Sequence, residues 1–139
     1  MGNYAGDINI TQAWEILSTQ NDSILIDVRT PAEWQFTGVP TLKILGKEVF
    51  FIPWLNYPTF DFNNRFFQSF ESMNISPDSS VLFLCKVGGR SRDAAMALAE
   101  KGYPNSHSIE WGFEGQHNEF NQRGQINGWK AAGLPWEQA

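Results

Sequence analysis

The sequence predicts an α/β fold built on a mainly parallel sheet. Two apolar runs carry that expectation, Ile24-Leu25-Ile26-Asp27-Val28 and Val81-Leu82-Phe83-Leu84. Neither alternates between apolar and polar residues, which is the pattern of strands buried on both faces. The third observation is that helical patterns lie between and after these runs, and strands alternating with helices belong to parallel α/β sheets. In such sheets ligands bind beyond the carboxyl ends of the strands. The chain's single cysteine, Cys85, stands at one of those ends.

Taken in order, Thr11 is suited to cap a short helix in which Trp14 and Leu17 share a face, and polar Ser18 to Asp22 end it. The strand Ile24 to Val28 follows, closed by Arg29-Thr30-Pro31, with Asp27 out of place in an apolar setting. Pro31 to Phe36 form a helical turn with proline at a tolerated first position, and Gly38 and Pro40 stop it. Glu48 to Ile52 read as a second strand, ended by Pro53 and followed by an aromatic loop from Trp54 to Thr59. Asp61 then caps a helix carrying Phe62, Phe66, Phe70 and Met73 at helical spacing, a stripe that reads as core. Pro77-Asp78-Ser79 make a turn, and Val81 to Leu84 deliver Cys85. The helix Ser91 to Lys101 is rich in alanine and ends at Gly102, as a left-handed cap does. His107 to Glu110 is a weak strand, Trp111 to Gly115 a glycine-spaced segment, and Gln116 to Gly128 a polar stretch before Trp129 to Trp136.

Composition bounds the function. At 139 residues and 42% hydrophobic, residues 1–139 are expected to form one domain with a real core. Six Trp, three Tyr and eleven Phe place much of the burial in large rings. A net charge of −5 argues against nucleic acid as a partner, because neutralising phosphates needs a basic face. No stretch approaches eighteen apolar residues, and residues 1–10 carry no basic and apolar leader pattern, so no membrane partner and a cytoplasmic location are expected. One cysteine excludes an intramolecular disulfide and points to a reducing compartment. His107 and His117 have no ligand spacing, so neither a metal nor a cofactor is expected.

Cys85 opens the segment Cys85-Lys86-Val87-Gly88-Gly89-Arg90-Ser91. A strand runs into a glycine-rich turn and then a helix, so the thiol sits where unsatisfied amides converge, a setting that favours the thiolate. Gly88 and Gly89 are expected to allow positive φ and close backbone approach. Amides from Lys86 to Ser91 form a concave nest for an anion. Lys86, Arg90 and Arg92 against Asp93 give this stretch a local positive excess within an acidic chain. A bland alternative is a packed structural cysteine, but its place at a strand end among glycines and cations favours chemistry.

These residues resemble the rhodanese sulfurtransferase family, in its single-domain form. The resemblance rests on Asp27-Val28-Arg29 with Glu33-Trp34, on Gly38-Val39-Pro40, on the loop Cys85 to Ser91 matching Cys-x-x-Gly-x-Arg-Ser, on Gly102-Tyr103, on Gly112 to Gly115, and on Gly128-Trp129 with Ala132-Gly133-Leu134-Pro135. It implies a three-layer fold with helices on both faces of the sheet, and a cysteine that carries a persulfide. It also implies a reading of loop length, since six residues from Cys85 to Arg90 suit a sulfur atom, whereas related phosphatases and arsenate reductases use one more. The reaction implied moves a sulfane sulfur from thiosulfate or a persulfide, through Cys85, to cyanide, a small thiol or a protein thiol.

Within that scheme Cys85 is the catalytic residue, and Lys86, Val87, Gly88, Gly89, Arg90 and Ser91 form the anion cradle. Arg90 has two roles open to it, steering an anionic donor or closing the loop by pairing with a carboxylate. Asp27 and Arg29 are supporting residues expected to pair with each other, with Glu33 or with Arg90, because burying either charge alone is costly. Two alternatives share the fold: a module that binds an anion or partner without turnover, and a phosphatase or arsenate reductase. Pro40 is followed by Thr41-Leu42, where many relatives continue Gly-Ala, and the stretch Thr41 to Phe70 is longer and more aromatic than a minimal domain needs.

Overall fold

The computed structural model describes residues 4–138. Its centre is a five-stranded sheet, every pairing parallel. The strands are β1 (Asp7–Ile8), β2 (Ile24–Asp27), β4 (Phe50–Phe51), β5 (Val81–Leu84) and β6 (Ser106–Ile109), in the order β1-β6-β5-β2-β4. A separate antiparallel pair joins β3 (Val39–Pro40) to β7 (Trp136–Glu137). The helices are α1 (Ile10–Thr19), α2 (Pro31–Thr37), α3 (Phe66–Glu71), α4 (Gly89–Glu100) and α5 (Gly128–Ala131).

The two strongest apolar runs do lie side by side, with Ile24 opposite Val81 and Asp27 opposite Leu84. Because successive side chains alternate across a strand, each run feeds both faces. Ile26, Phe83 and Cys85 pack with Phe66 and Phe70 of α3 and with Ala94, Ala95 and Leu98 of α4. Leu25, Leu82 and Leu84 pack on the other face with Ala13 and Leu17 of α1 and with Trp129 of α5. Helices therefore cover both faces. The alanines of α4 let that helix approach the sheet closely, next to the loop it helps to build.

Several boundaries differ from the sequence reading. The cap of α1 is Asn9, not Thr11: Gln12 N–H donates to Asn9 Oδ1 at 2.8 Å and the Gln12 side chain accepts from Asn9 N–H at 3.0 Å. This reciprocal pair satisfies two donors at once, and Thr11 falls inside the first turn. Asp61 caps no helix, because its carboxylate is taken by the Thr59 hydroxyl; α3 begins only at Phe66. Phe66 and Phe70 are buried as expected, but Phe62 is partly exposed in a bridge to Leu55 and stacks on Trp54. The second apolar run yields only the short edge strand Phe50–Phe51. The helix after the cysteine starts two residues early, at Gly89, and ends at Glu100. The last sheet strand is Ser106–Ile109, displaced by one residue.

Chain direction positions the site. From β2 the chain proceeds to β4 on one side, and from β5 it proceeds to β6 on the other. The carboxyl ends of β2 and β5 are thus adjacent strand ends from which the connections diverge, which is where open α/β sheets form their crevices. Asp27 closes β2 there, and Cys85 follows β5.

Candidate active site around Cys85

Cys85 is 1% exposed. Its Sγ accepts a hydrogen bond from the Gly88 amide at 3.1 Å and lies 3.2 Å from Ser91 Oγ. Gly88 has φ of +129°, a region closed to side-chain-bearing residues, which lets the chain turn into α4 directly after the amide that meets the sulfur. Gly89 does not share it: it is the first residue of α4 with an ordinary backbone, so one of the two glycines, not both, supplies the positive φ. Among the described residues, one amide and one hydroxyl lie at the sulfur.

A second turn braces the loop from behind. The carbonyl of Cys85 accepts from Phe113 N–H at 2.7 Å, and that of Lys86 accepts from Glu114 and Gly115 N–H at 3.1 and 3.3 Å. Gly112, at φ +57°, makes this approach possible: a Cβ there would collide with the Cys85 carbonyl and stand 2.6 Å from that of Lys86. The glycine-spaced segment of the sequence thus serves as the back wall of the cysteine loop. Trp111, partly exposed, lines with Val87, Gly88, Gly89 and Ser108 a cleft of about 170 Å³ on the outer side of the same loop.

Arg90 closes the loop. Its two terminal nitrogens donate to the two carboxylate oxygens of Glu33 at 2.6 and 2.8 Å, joining the helix after β5 to the helix after β2. Such two-pronged pairs fix orientation as well as charge. Burial works against charge on Glu33, but Arg90 and then Thr30 outweigh it and hold the carboxyl below its usual range. Burial likewise opposes charge on Arg90; Glu33, Cys85 and Asp27 together push it up. Glu33 also accepts from Thr30 N–H as the return arm of the α2 capping box. Phe60 stands over the Arg90 guanidinium with its ring centre 5.9 Å away, so the aromatic stretch Thr41 to Phe70 reaches the site.

Asp27 and Arg29 pair with each other. Both are fully buried; Arg29 Nε and Nη2 donate to the Asp27 oxygens, the shortest contact being 2.7 Å. Arg29 also donates to Thr37 Oγ1 and the Gly38 carbonyl and stacks on Phe113 at 4.2 Å. The pair therefore ties β2, α2 and the back wall together. Arg92, counted in the sequence among the local cations, is bound to Asp7 at 2.6 Å. With Arg90 and Arg92 both paired, the local positive excess is cancelled, leaving Lys86 as the loop cation without an ion pair among the described residues. Among those residues no three His, Cys, Asp or Glu side chains come together as a metal site.

The family profile of the Rhodanese-like domain matches residues 9–119. The chain belongs to the rhodanese-like family. It is 42% identical to the protein in the crystal structure of Rv0390 from M. tuberculosis, which superposes with a TM-score of 0.88 over 99% of this chain and 100% of that one. It is 36% identical over 128 residues to the protein RP600 of Rickettsia prowazekii, covering 91% of this chain and 93% of that protein. It is 29% identical over 133 residues to the thiosulfate sulfurtransferase GlpE of Actinobacillus succinogenes, covering 96% and 91%. These relationships agree with the resemblance read from the sequence and with the mostly parallel α/β architecture.

Sequence reasoning missed Ser108, Gly112 as a neighbour of the cysteine carbonyl, and Phe60. Glycine spacing held the signal for Gly112. Ser108 carried none, since it sits in a weak strand four residues before Gly112 with nothing to relate it to Cys85.

Proposed function

We propose that the protein is a sulfurtransferase that carries a sulfane sulfur on Cys85. The Cys85 thiolate attacks the outer sulfur of thiosulfate, the S–S bond of the donor breaks, and sulfite leaves with the bonding pair. The product is Cys85-S-S⁻. A nucleophilic acceptor, cyanide or a thiolate, then takes the terminal sulfur, and Cys85 returns as thiolate. Two displacements replace one difficult transfer, and neither needs a general base once the thiolate exists.

The observation that carries this reading is the bond from Gly88 N–H to Cys85 Sγ within a six-residue loop clamped by Arg90 and Glu33. A preorganised donor at the reacting atom stabilises charge without reorganisation. The same clamp speaks against phosphatase or arsenate reductase chemistry, because both ends of the Arg90 fork are occupied by Glu33. Burial of the sulfur is the observation that suits the second reading, a module that binds an anion or partner without turnover.

The two are separated by following both half-reactions. Protein loaded with sulfur, freed of donor and mixed with cyanide, glutathione or a reduced protein thiol should lose roughly 32 Da and return the free thiol. A loaded protein that keeps its sulfur against every acceptor fits the binding module instead.

A further inference from the structure

We propose that Ser108, one hydrogen bond removed from the sulfur, is a positioning residue that aims the Ser91 hydroxyl at the Cys85 anion. The inference deepens the sulfur-carrier reading and rests on it. Ser108 lies in β6, is 1% exposed, and its Oγ stands 2.7 Å from Ser91 Oγ. Ser91 Oγ in turn has two further neighbours, Cys85 Sγ at 3.2 Å and the Gly88 carbonyl at 3.1 Å.

A hydroxyl has one proton and two lone pairs, so Ser91 cannot serve all three neighbours in the same way. While Cys85 is a thiol, its S–H donates to Ser91 Oγ, and the Ser91 proton goes to the Gly88 carbonyl. When Cys85 gives its proton to buffer, the sulfur can only accept, and the Ser91 hydroxyl must turn toward it. The Gly88 carbonyl is not orphaned by that turn, because it also accepts from Arg92 N–H at 3.2 Å. With its proton committed to sulfur, Ser91 Oγ can only accept from Ser108, whose O–H then completes the chain Ser108 to Ser91 to Cys85. Chains of this kind polarise and strengthen each member. Ser91 and Ser108 are both buried, and loss of the Ser108 hydroxyl removes from the thiolate state the one side-chain donor to Ser91 Oγ among the described residues.

The charged groups around the sulfur do not depend on this chain. From α4 comes Arg90, paired with Glu33 of α2; from β2 come Asp27 and the following Arg29, paired with each other; Lys86 lies in the loop itself. Behind Ser108, Tyr4 donates to Asp7, which Arg92 holds. Burial, with Asp7 beside it, pushes the Tyr4 phenol up to about 12, so it keeps its proton at neutral pH; the Ser108 hydroxyl also faces the Tyr4 oxygen, and in the thiolate state its proton turns from there to Ser91.

The test is the pH dependence of Cys85 reactivity toward iodoacetamide in the full chain, checked by thiolate ultraviolet absorbance against Cys85→Ala. Ser108→Ala should raise the midpoint of both profiles by about half to one pH unit, the scale of one hydrogen bond to a charged group felt through an intermediary. Ser91→Ala should raise it at least as far, and adding Ser108→Ala to Ser91→Ala should change nothing further. Ser108→Thr and Ser108→Val have nearly the same shape, so any packing burden is shared, and the Thr variant alone should keep the wild-type midpoint. Coincident wild-type and Ser108→Ala profiles, or an equal shift with and without Ser91, would overturn the proposal. Neither readout uses a sulfur donor. A chain that fails to take up sulfur yet shows the shift loses the carrier reading and keeps the positioning one; the opposite pattern does the reverse.

Discussion

Glu33 performs two tasks with one carboxylate, capping α2 and clamping Arg90. Because its folded carboxyl is held below the ordinary value of 4.5, the clamp's contribution is fully present above that value. It is lost as pH falls through the lower, folded one. Glu33→Gln should therefore destabilise the chain by about 1–3 kcal/mol at neutral pH. In urea unfolding, the gap between variant and wild type should narrow between neutral pH and an acid pH below 4.5, as folded Glu33 takes up its proton. An unchanged gap at both pH values would show that the charge is irrelevant. The buried Asp27 and Arg29 are a different case: the Asp27 carboxylate accepts its side-chain hydrogen bonds from Arg29, and breaking such a pair by removing one partner costs about 3–5 kcal/mol. These partnerships were legible in outline. A charged pair beside a buried strand implies mutual pairing, but only the folded chain shows that Glu33 goes to Arg90 and Asp27 to Arg29.

At the scale of elements, two turns meet back to back, the cysteine loop and the Trp111 to Gly115 turn. Gly112→Ala forces a Cβ onto the carbonyls of Cys85 and Lys86 at a φ of +57°, so the loop must shift. The expected cost is about 1–3 kcal/mol from the backbone alone, with sulfur uptake slowed at least tenfold through displacement of Cys85. Thermal unfolding and the single-turnover rate of uptake check the two parts separately; uptake at the wild-type rate would show that the back wall does not hold the loop. The central strands β2 and β5 were legible because burial on both faces leaves an unbroken apolar run. The two-residue strands β1, β3 and β7 were not, since so short a segment has no period to read and exists only through its partner. The α1 cap was misplaced for a related reason. Asn9 and Thr11 are both good caps locally, and the choice is made by Gln12 reaching back.

Across the whole molecule the net charge is −5, and ion pairs consume two of the three cations near the loop. An anionic donor such as thiosulfate therefore meets an acidic protein with Lys86 as its local attraction. Lys86→Gln should slow persulfide formation by roughly threefold to tenfold at low salt and flatten its dependence on ionic strength, since attraction over about 8 Å is screened at physiological salt. Equal salt dependence in both proteins would contradict this. The long aromatic stretch was legible as burial but not in its placement. Trp54, Phe62 and Phe66 stack edge to face, whereas Phe60 is carried outward to Arg90, and hydrophobicity alone does not distinguish those fates.

Whether Cys85 carries sulfur is read most plainly from the intact mass of the protein after exposure to thiosulfate and removal of the excess. Thiosulfate should add roughly 32 Da, mapped to the peptide containing Cys85, reversed by a reducing thiol and absent in a folded Cys85→Ala variant. An unmodified mass in wild type whose thiol is shown to be reduced and reachable, or an added sulfur that persists in Cys85→Ala, would contradict that role.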